Sequence, residues 1–179
     1  PYRKTVAKYS KKYKVPESLI YAVIRQESRF NQKARSPANA KGLMQIIPST
    51  GRWILRQLNY KSRTIKKIYN PNINVMMGTF YIKHLSKKLD NLIFTLASYN
   101  AGVRNVSKWS KKYSTKIPEK FIEQIPFYET RNYVKKVLSN YIVYEYIING
   151  KVINYSNLFK KLWKKYVFLA QMDLMVPIY

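Results

Sequence analysis

The chain has no cysteine, one histidine, five glycines and eight acidic residues among its 179. The missing cysteine excludes thiol nucleophiles, thiolate zinc sites and disulfides. It leaves the compartment open, because an exported protein can do without disulfides. His84 alone cannot build a histidine-based metal site. With Asp90 and Asp173 the only aspartates, a Ser-His-Asp triad is also unsupported. Five widely spaced glycines form neither a phosphate loop nor a dinucleotide fingerprint. No apolar run reaches the roughly 20 residues that span a bilayer, and the start lacks a secretory signal pattern. A chain opening Pro1-Tyr2-Arg3-Lys4 is expected to be a processed product or an excised piece. Whatever chemistry it carries must come from a few carboxylates, hydroxyls and amides.

What is abundant is positive charge and helix-forming pattern. There are 34 Lys and Arg residues, giving a net charge of +26. Such a balance fits an anionic partner: nucleic acid, an anionic membrane surface or an acidic polymer. It also fits a plain compositional cause, since Lys, Asn, Ile and Tyr are the residues an AT-rich coding sequence favours. Hydrophobic residues make up 46% and aromatics 15%, enough for a core and too many for a disordered chain. The length suits one domain with a short appendage.

The apolar periodicity is helical almost throughout. It predicts helices over 3–13, from Pro16 to Ser28, from Pro48 through Leu58, from Pro71 to Leu85, over 91–100, over 103–111, from Pro118 to Pro126, and over 127–147. Residues 29–47 lack periodicity and read as a long structured loop. Gly102 is expected to cap a helix and Gly150 to break one. A last helix over 155–169 and an apolar tail are expected beyond a weak seam at 149–154. The reading is all-α: residues 1–150 as the main domain, with 151–179 packed on it.

Four segments hold candidate chemistry. Glu27 follows Val23 by four residues and Leu19 by eight, which sets it on or beside the buried face of its helix. Partial desolvation there raises a carboxyl pKa, the property a general acid needs; the plain alternative is a surface or salt-bridged Glu between Arg25 and Arg29. Gly42-Leu43-Met44-Gln45 joins a permissive glycine to an amide that can bind a neutral polar ligand, or is an ordinary turn. Tyr99-Asn100-Ala101-Gly102 ends a helix, from which Tyr99 and Asn100 can project into a cleft, or caps it over a core tyrosine. Glu123 ends one helix and Thr130 to Tyr133 lie in the first turns of the next; their plain readings are a capping carboxylate, helix-surface polar residues and a core tyrosine.

Taken in order, Glu27-Ser28, Gly42-Leu43-Met44-Gln45 and Tyr99-Asn100-Ala101-Gly102 resemble the soluble lytic transglycosylase family, whose catalytic domain has a goose-type lysozyme-like fold. Gln26-Glu27-Ser28-Arg29-Phe30-Asn31, Ser36-Pro37, Ala40 to Pro48 and Glu129-Thr130-Arg131-Asn132-Tyr133-Val134 extend the resemblance, which covers residues 15–148. It implies a lysozyme-like helical domain with a deep glycan-binding cleft. It implies cleavage of the MurNAc-β-1,4-GlcNAc bond of bacterial peptidoglycan without net addition of water, giving 1,6-anhydromuramoyl products.

Residue by residue, the resemblance makes Glu27 the acid/base and Tyr99 its catalytic support. Ser36, Gly42, Met44, Gln45, Asn100, Ala101, Glu123 and Tyr133 would bind substrate. Relatives often carry a second methionine where this chain has Ile47. The implied partners are peptidoglycan glycan strands and stem peptides, with no specific nucleic acid and no transmembrane segment, and the resemblance implies that no metal or cofactor is needed. A larger helical region often precedes this domain in the family, and the implied location is the periplasm or cell envelope of a bacterium. The main competitor is a hydrolytic lysozyme on the same fold. That reading needs a second carboxylate, and none of the matched segments sets one beside Glu27. A wall-binding module without catalysis and a nucleic-acid-binding helical domain are further alternatives. The second explains the charge but not the ordered segments.

Overall fold

The computed structural model describes residues 1–114 and 117–153. The helix expected over 155–169 and the apolar tail lie outside the described residues. Among the described residues the regular structure is helical, with only isolated antiparallel bridges pairing Lys41 with Arg35 and with Ile46.

The described residues gather into two compact units. The first is Pro1–His84 with Lys136–Gly150, and the second is built on Leu85–Lys135. In the first unit, α1 (Arg3–Tyr13) buries Val6, Tyr9 and Tyr13, one stripe at helical spacing. Its last turn carries Lys11 and Lys12, which suit the negative end of the helix dipole. α2 (Glu17–Ser28) starts after Pro16, with Glu17 in its first turn. Its residues from Ser18 to Ile24 are all buried, so this helix is the spine of the unit. α3 (Pro48–Gln57) and α4 (Pro71–Leu89) each open on a proline, where the missing N–H has no intrahelical partner to lose. α4 runs one turn beyond the Leu85 expected from periodicity. A 3₁₀ helix at Ser62–Lys67 joins them and has no buried residue. That explains why apolar spacing did not reveal it. Ile20, Ile24, Leu43, Met44, Ile54, Leu55, Met76 and Met77 form the fully buried centre.

Ser18 donates a hydrogen bond to the Glu145 carboxylate, and Asn149 Nδ2 donates to its other oxygen at 3.2 Å. Glu145 is only 7% exposed, so these two donors are what make its burial tolerable.

The second unit holds α5 (Leu92–Ala101), α6 (Val103–Lys112), α7 (Pro118–Gln124) and the start of α8 (Tyr128–Asn149). Asn91 caps α5 by accepting from Phe94 N–H at 3.1 Å. Gly102, at φ 83° and ψ 149°, ends α5 and starts α6. A Cβ there would meet nothing within 4 Å, so the glycine serves the backbone conformation alone. Phe94 packs on Phe121 with ring centroids 4.8 Å apart, and Trp109 meets Phe127 edge-on at 5.1 Å. Among the described residues no helix is long and apolar enough to cross a membrane.

Candidate active site

In the first unit the site is built where α2 ends. The helix is buried through Ile24, then emerges, and Glu27 is half-buried in its last turn. Arg29 and Phe30 follow in left-handed conformation, at φ 50° and 67°, which turns the chain sharply away after Ser28. The Ser28 hydroxyl donates to Leu43 O at 2.8 Å. The residue beside Glu27 is therefore tied to the middle of the Gly42–Gln45 segment.

That segment is a tight loop. Lys41 and Ile46 exchange backbone hydrogen bonds of 3.1 and 3.0 Å at its base, and Gln45 N–H donates to Gly42 O at 3.1 Å. Gly42 and Gln45 both have positive φ, 77° and 46°. Asn74, in the first turn of α4 and 0% exposed, reaches into the loop from below. Its Oδ1 accepts from Met44 N–H at 2.7 Å. Its Nδ2 donates to Lys41 O and to Ile68 O, both at 2.8 Å. A Cβ on Gly42 would overlap the Asn74 amide, and one on Gly78 would overlap the Met44 side chain. Met44, read from sequence as a substrate contact, is fully buried and supports the loop from beneath.

Gln45 is half-buried, and its Nε2 donates to Gly42 O at 2.8 Å and Ala34 O at 3.2 Å. Both partners are carbonyls, so the orientation of the amide is decided by chemistry. Gln45 thus has an acceptor, Oε1, to offer a ligand, rather than the mixed donor and acceptor set expected from its residue type. The Ser36 hydroxyl accepts from Ala40 N–H at 3.1 Å and keeps its proton to donate. Ile47, at the position where relatives often carry methionine, is 44% exposed beside this loop.

The second unit carries the other candidates. Tyr99, Asn100 and Ala101 are half-buried in the last turn of α5. Thr130, 1% exposed, donates to Asn100 Oδ1 at 2.6 Å, which leaves the Asn100 amide N–H groups as donors. Asn105 Nδ2 donates to Ala101 O at 2.8 Å. Glu123 is exposed and pairs with Lys135 Nζ at 2.5 Å, while Arg131 donates to its backbone carbonyl at 2.9 Å. Tyr133 is 4% exposed, so little of its surface is open to a ligand. Sequence reasoning passed over Asn74 and Gly78. The only signal was that asparagine and glycine are poor helix formers and need a local reason to be there.

Within the first unit, Glu27 stands apart from other described carboxylates. Glu17 lies ten residues earlier on α2, about 15 Å along the axis. Glu145 is bound to Ser18, nine residues from Glu27. The profile of the Transglycosylase SLT domain matches residues 4–122. The chain belongs to this family of transglycosylase SLT domains. A second profile, the soluble lytic transglycosylase helical domain, matches residues 124–152. The chain is 35% identical over 153 residues to the soluble lytic murein transglycosylase of Escherichia coli K12, covering 84% of this chain and 24% of that protein. It therefore spans about a quarter of the length of that soluble SLT relative. It is 34% identical over 156 residues to the membrane-bound lytic murein transglycosylase E of Buchnera aphidicola, covering 80% of this chain and 72% of that protein.

Solved SLT structures agree. An inactive glutamate-to-glutamine mutant of lytic transglycosylase Slt from Pseudomonas aeruginosa superposes with a TM-score of 0.79 at 31% identity, covering 87% of this chain and 26% of that one. The 70 kDa soluble lytic transglycosylase in complex with bulgecin A gives 0.79 at 34% identity over the same shares. The all-α, lysozyme-like expectation agrees with these neighbours.

Proposed function

We propose that residues 1–150 act as the catalytic domain of a peptidoglycan lytic transglycosylase, with Glu27 as its acid/base. The Glu27 carboxylic acid donates its proton to the oxygen between N-acetylmuramic acid and N-acetylglucosamine, and the bond from muramic C1 to that oxygen breaks. The resulting carboxylate takes the proton of the muramic 6-hydroxyl as that oxygen bonds to C1. The product ends in a 1,6-anhydro ring, and no water is consumed. Tyr99 supports the carboxyl or the substrate acetamido group. Gln45 accepts a hydrogen bond from a substrate N–H or O–H, and Ser36 and Asn100 donate.

The observation that carries this reading is the place of Glu27 at the emergent end of α2, joined through Ser28 to the Gly42–Gln45 loop. A retaining glycosidase with an enzymic nucleophile needs a second carboxylate about 5–5.5 Å away, and the other described carboxylates of the first unit are the distant Glu17 and Glu145. The Pseudomonas relative is described as inactive with one glutamate replaced by glutamine, which fits a glutamate acid/base. The cell envelope of a bacterium, specifically the periplasm, is the matching location, and stem-peptide carboxylates suit the +26 charge. The SLT relatives' greater length makes a further helical region of the same protein a natural partner.

The test is release of muropeptides from purified sacculi, read by mass spectrometry for the protein and for Glu27→Gln. Products one water lighter than their hydrolytic counterparts, absent with the variant, are expected. Reducing-end products at full hydrolytic mass would make the chain a lysozyme instead.

A further inference from the structure

Asn74 belongs to none of the segments that carry the family resemblance, and it makes no contact expected to touch substrate. It is nonetheless the most heavily committed buried polar side chain near the site. One carboxamide satisfies Met44 N–H, Lys41 O and Ile68 O. These three groups belong to the loop, to its entry and to the turn after the 3₁₀ helix. None of them lies within a helix; Lys41 O also accepts from Ile46 N–H at 3.0 Å, across the base of the loop. Asn74 itself is anchored, since its backbone N–H donates to Asn70 O at 2.9 Å and Pro71 fixes the start of its helix.

We infer that Asn74 is the positioning residue of the Gly42–Gln45 loop, setting where Gln45 presents its acceptor and where Leu43 O meets Ser28 beside Glu27. This rests on the proposed reading of that loop as a glycan-binding element. The geometry leaves little freedom. Gly42 lacks a Cβ in the space that the Asn74 amide fills. Gln45 sits at φ 46°, a left-handed conformation that a non-glycine residue holds only when its surroundings impose it. With the Asn74 amide removed, Met44 N–H and Ile68 O lose the bonds it supplies, Lys41 O keeps only its bond from Ile46 N–H, and the loop loses the contact that holds it down. Gln45 would still bond Gly42 O and Ala34 O, but from a loop free to shift. Substrate binding suffers first, because the acceptor is displaced while the Glu27 carboxylate stays on its helix.

The test compares Asn74→Ala and Asn74→Asp with Val6→Ala, a core truncation in α1 that lowers stability without touching the loop. Two readouts are taken on the whole chain: amide hydrogen exchange at Met44, and KM and kcat on soluble peptidoglycan glycan oligomers. Asn74→Ala is expected to speed Met44 exchange about tenfold or more relative to Val6→Ala. It should raise KM about tenfold, with a smaller change in kcat. Asn74→Asp keeps an acceptor for Met44 N–H and loses both donated bonds, so its Met44 amide should stay protected while KM rises part of the way. If Asn74→Ala matches Val6→Ala in both exchange and KM, Asn74 is merely structural and the inference is overturned. If the unaltered chain cleaves nothing, the glycan-binding premise fails and with it the role assigned to Asn74, and the exchange data then report only on loop anchoring.

Discussion

The two units support their candidate residues in different ways. In the first, Ser28, Asn74 and Gln45 spend their side-chain hydrogen bonds on backbone groups of the 41–46 loop, so position is enforced atom by atom. In the second, Tyr99 and Asn100 ride on the end of α5, where Gly102 ends the helix and Thr130 bonds Asn100. Its charged candidate, Glu123, is held by an exposed ion pair. A loop has no internal ladder, so its shape must be bought with side chains. A helix end inherits its shape from the helix behind it.

Substitutions can break this contrast, and the largest effect is expected at the acid/base. Glu27→Gln should lower the rate of glycan cleavage by about 10²–10⁴-fold, read from muropeptide release, with the thermal midpoint moved by no more than a few degrees. The two glycines come next. Gly42→Ala adds overlap with Asn74 to left-handed strain and should cost about 3 kcal/mol or more. Gly102→Ala meets open space and should cost about 1–3 kcal/mol from backbone strain alone. Denaturant titration of both variants sharpens the comparison, and equal losses would contradict it. Ser28→Ala removes one bond to a loop carbonyl and should cost about 1 kcal/mol while raising KM.

The first unit should also be sensitive to alkali. Burial, with Tyr60 and Tyr9 adding to it, pushes the Tyr13 phenol up to about 12, and burial together with Glu145 does the same to Tyr141. The folded state then holds protons that the unfolded state releases at its ordinary pKa of about 10. Stability is therefore intact below pH 10 and declines as pH rises toward 12. Melting curves across that range should show the decline, and Tyr13→Phe and Tyr141→Phe should flatten it. The smallest effect is expected at the surface of the second unit. Lys135 and Glu123 have side chains 43% and 61% exposed, so Lys135→Met should cost about 0.5 kcal/mol or less and lose even that in high salt.

Much of this was legible in the chain before folding. Prolines 16, 48, 71 and 118 each mark a helix start, because a ring without an N–H is tolerated only there. Leu19, Val23 and Ile24 announced the buried run of α2, and Gly102 announced the end of α5. The 3₁₀ helix at 62–67 was illegible because it buries nothing, and the last turn of α4 because Lys87 and Lys88 break the apolar pattern.

The sequence by itself determined the helices, the family and the order of the chemical groups, because periodicity, prolines and short motifs act over a few residues. Only the tertiary structure decided what those groups have to offer. Gln45 became an acceptor because Ala34 and Gly42 carbonyls claim its donors. Met44 became a support rather than a surface. Asn74, about thirty residues from the loop in sequence, became its anchor. Such assignments depend on hydrogen bonds between segments distant along the chain, and a linear pattern carries no record of which buried amide meets which carbonyl.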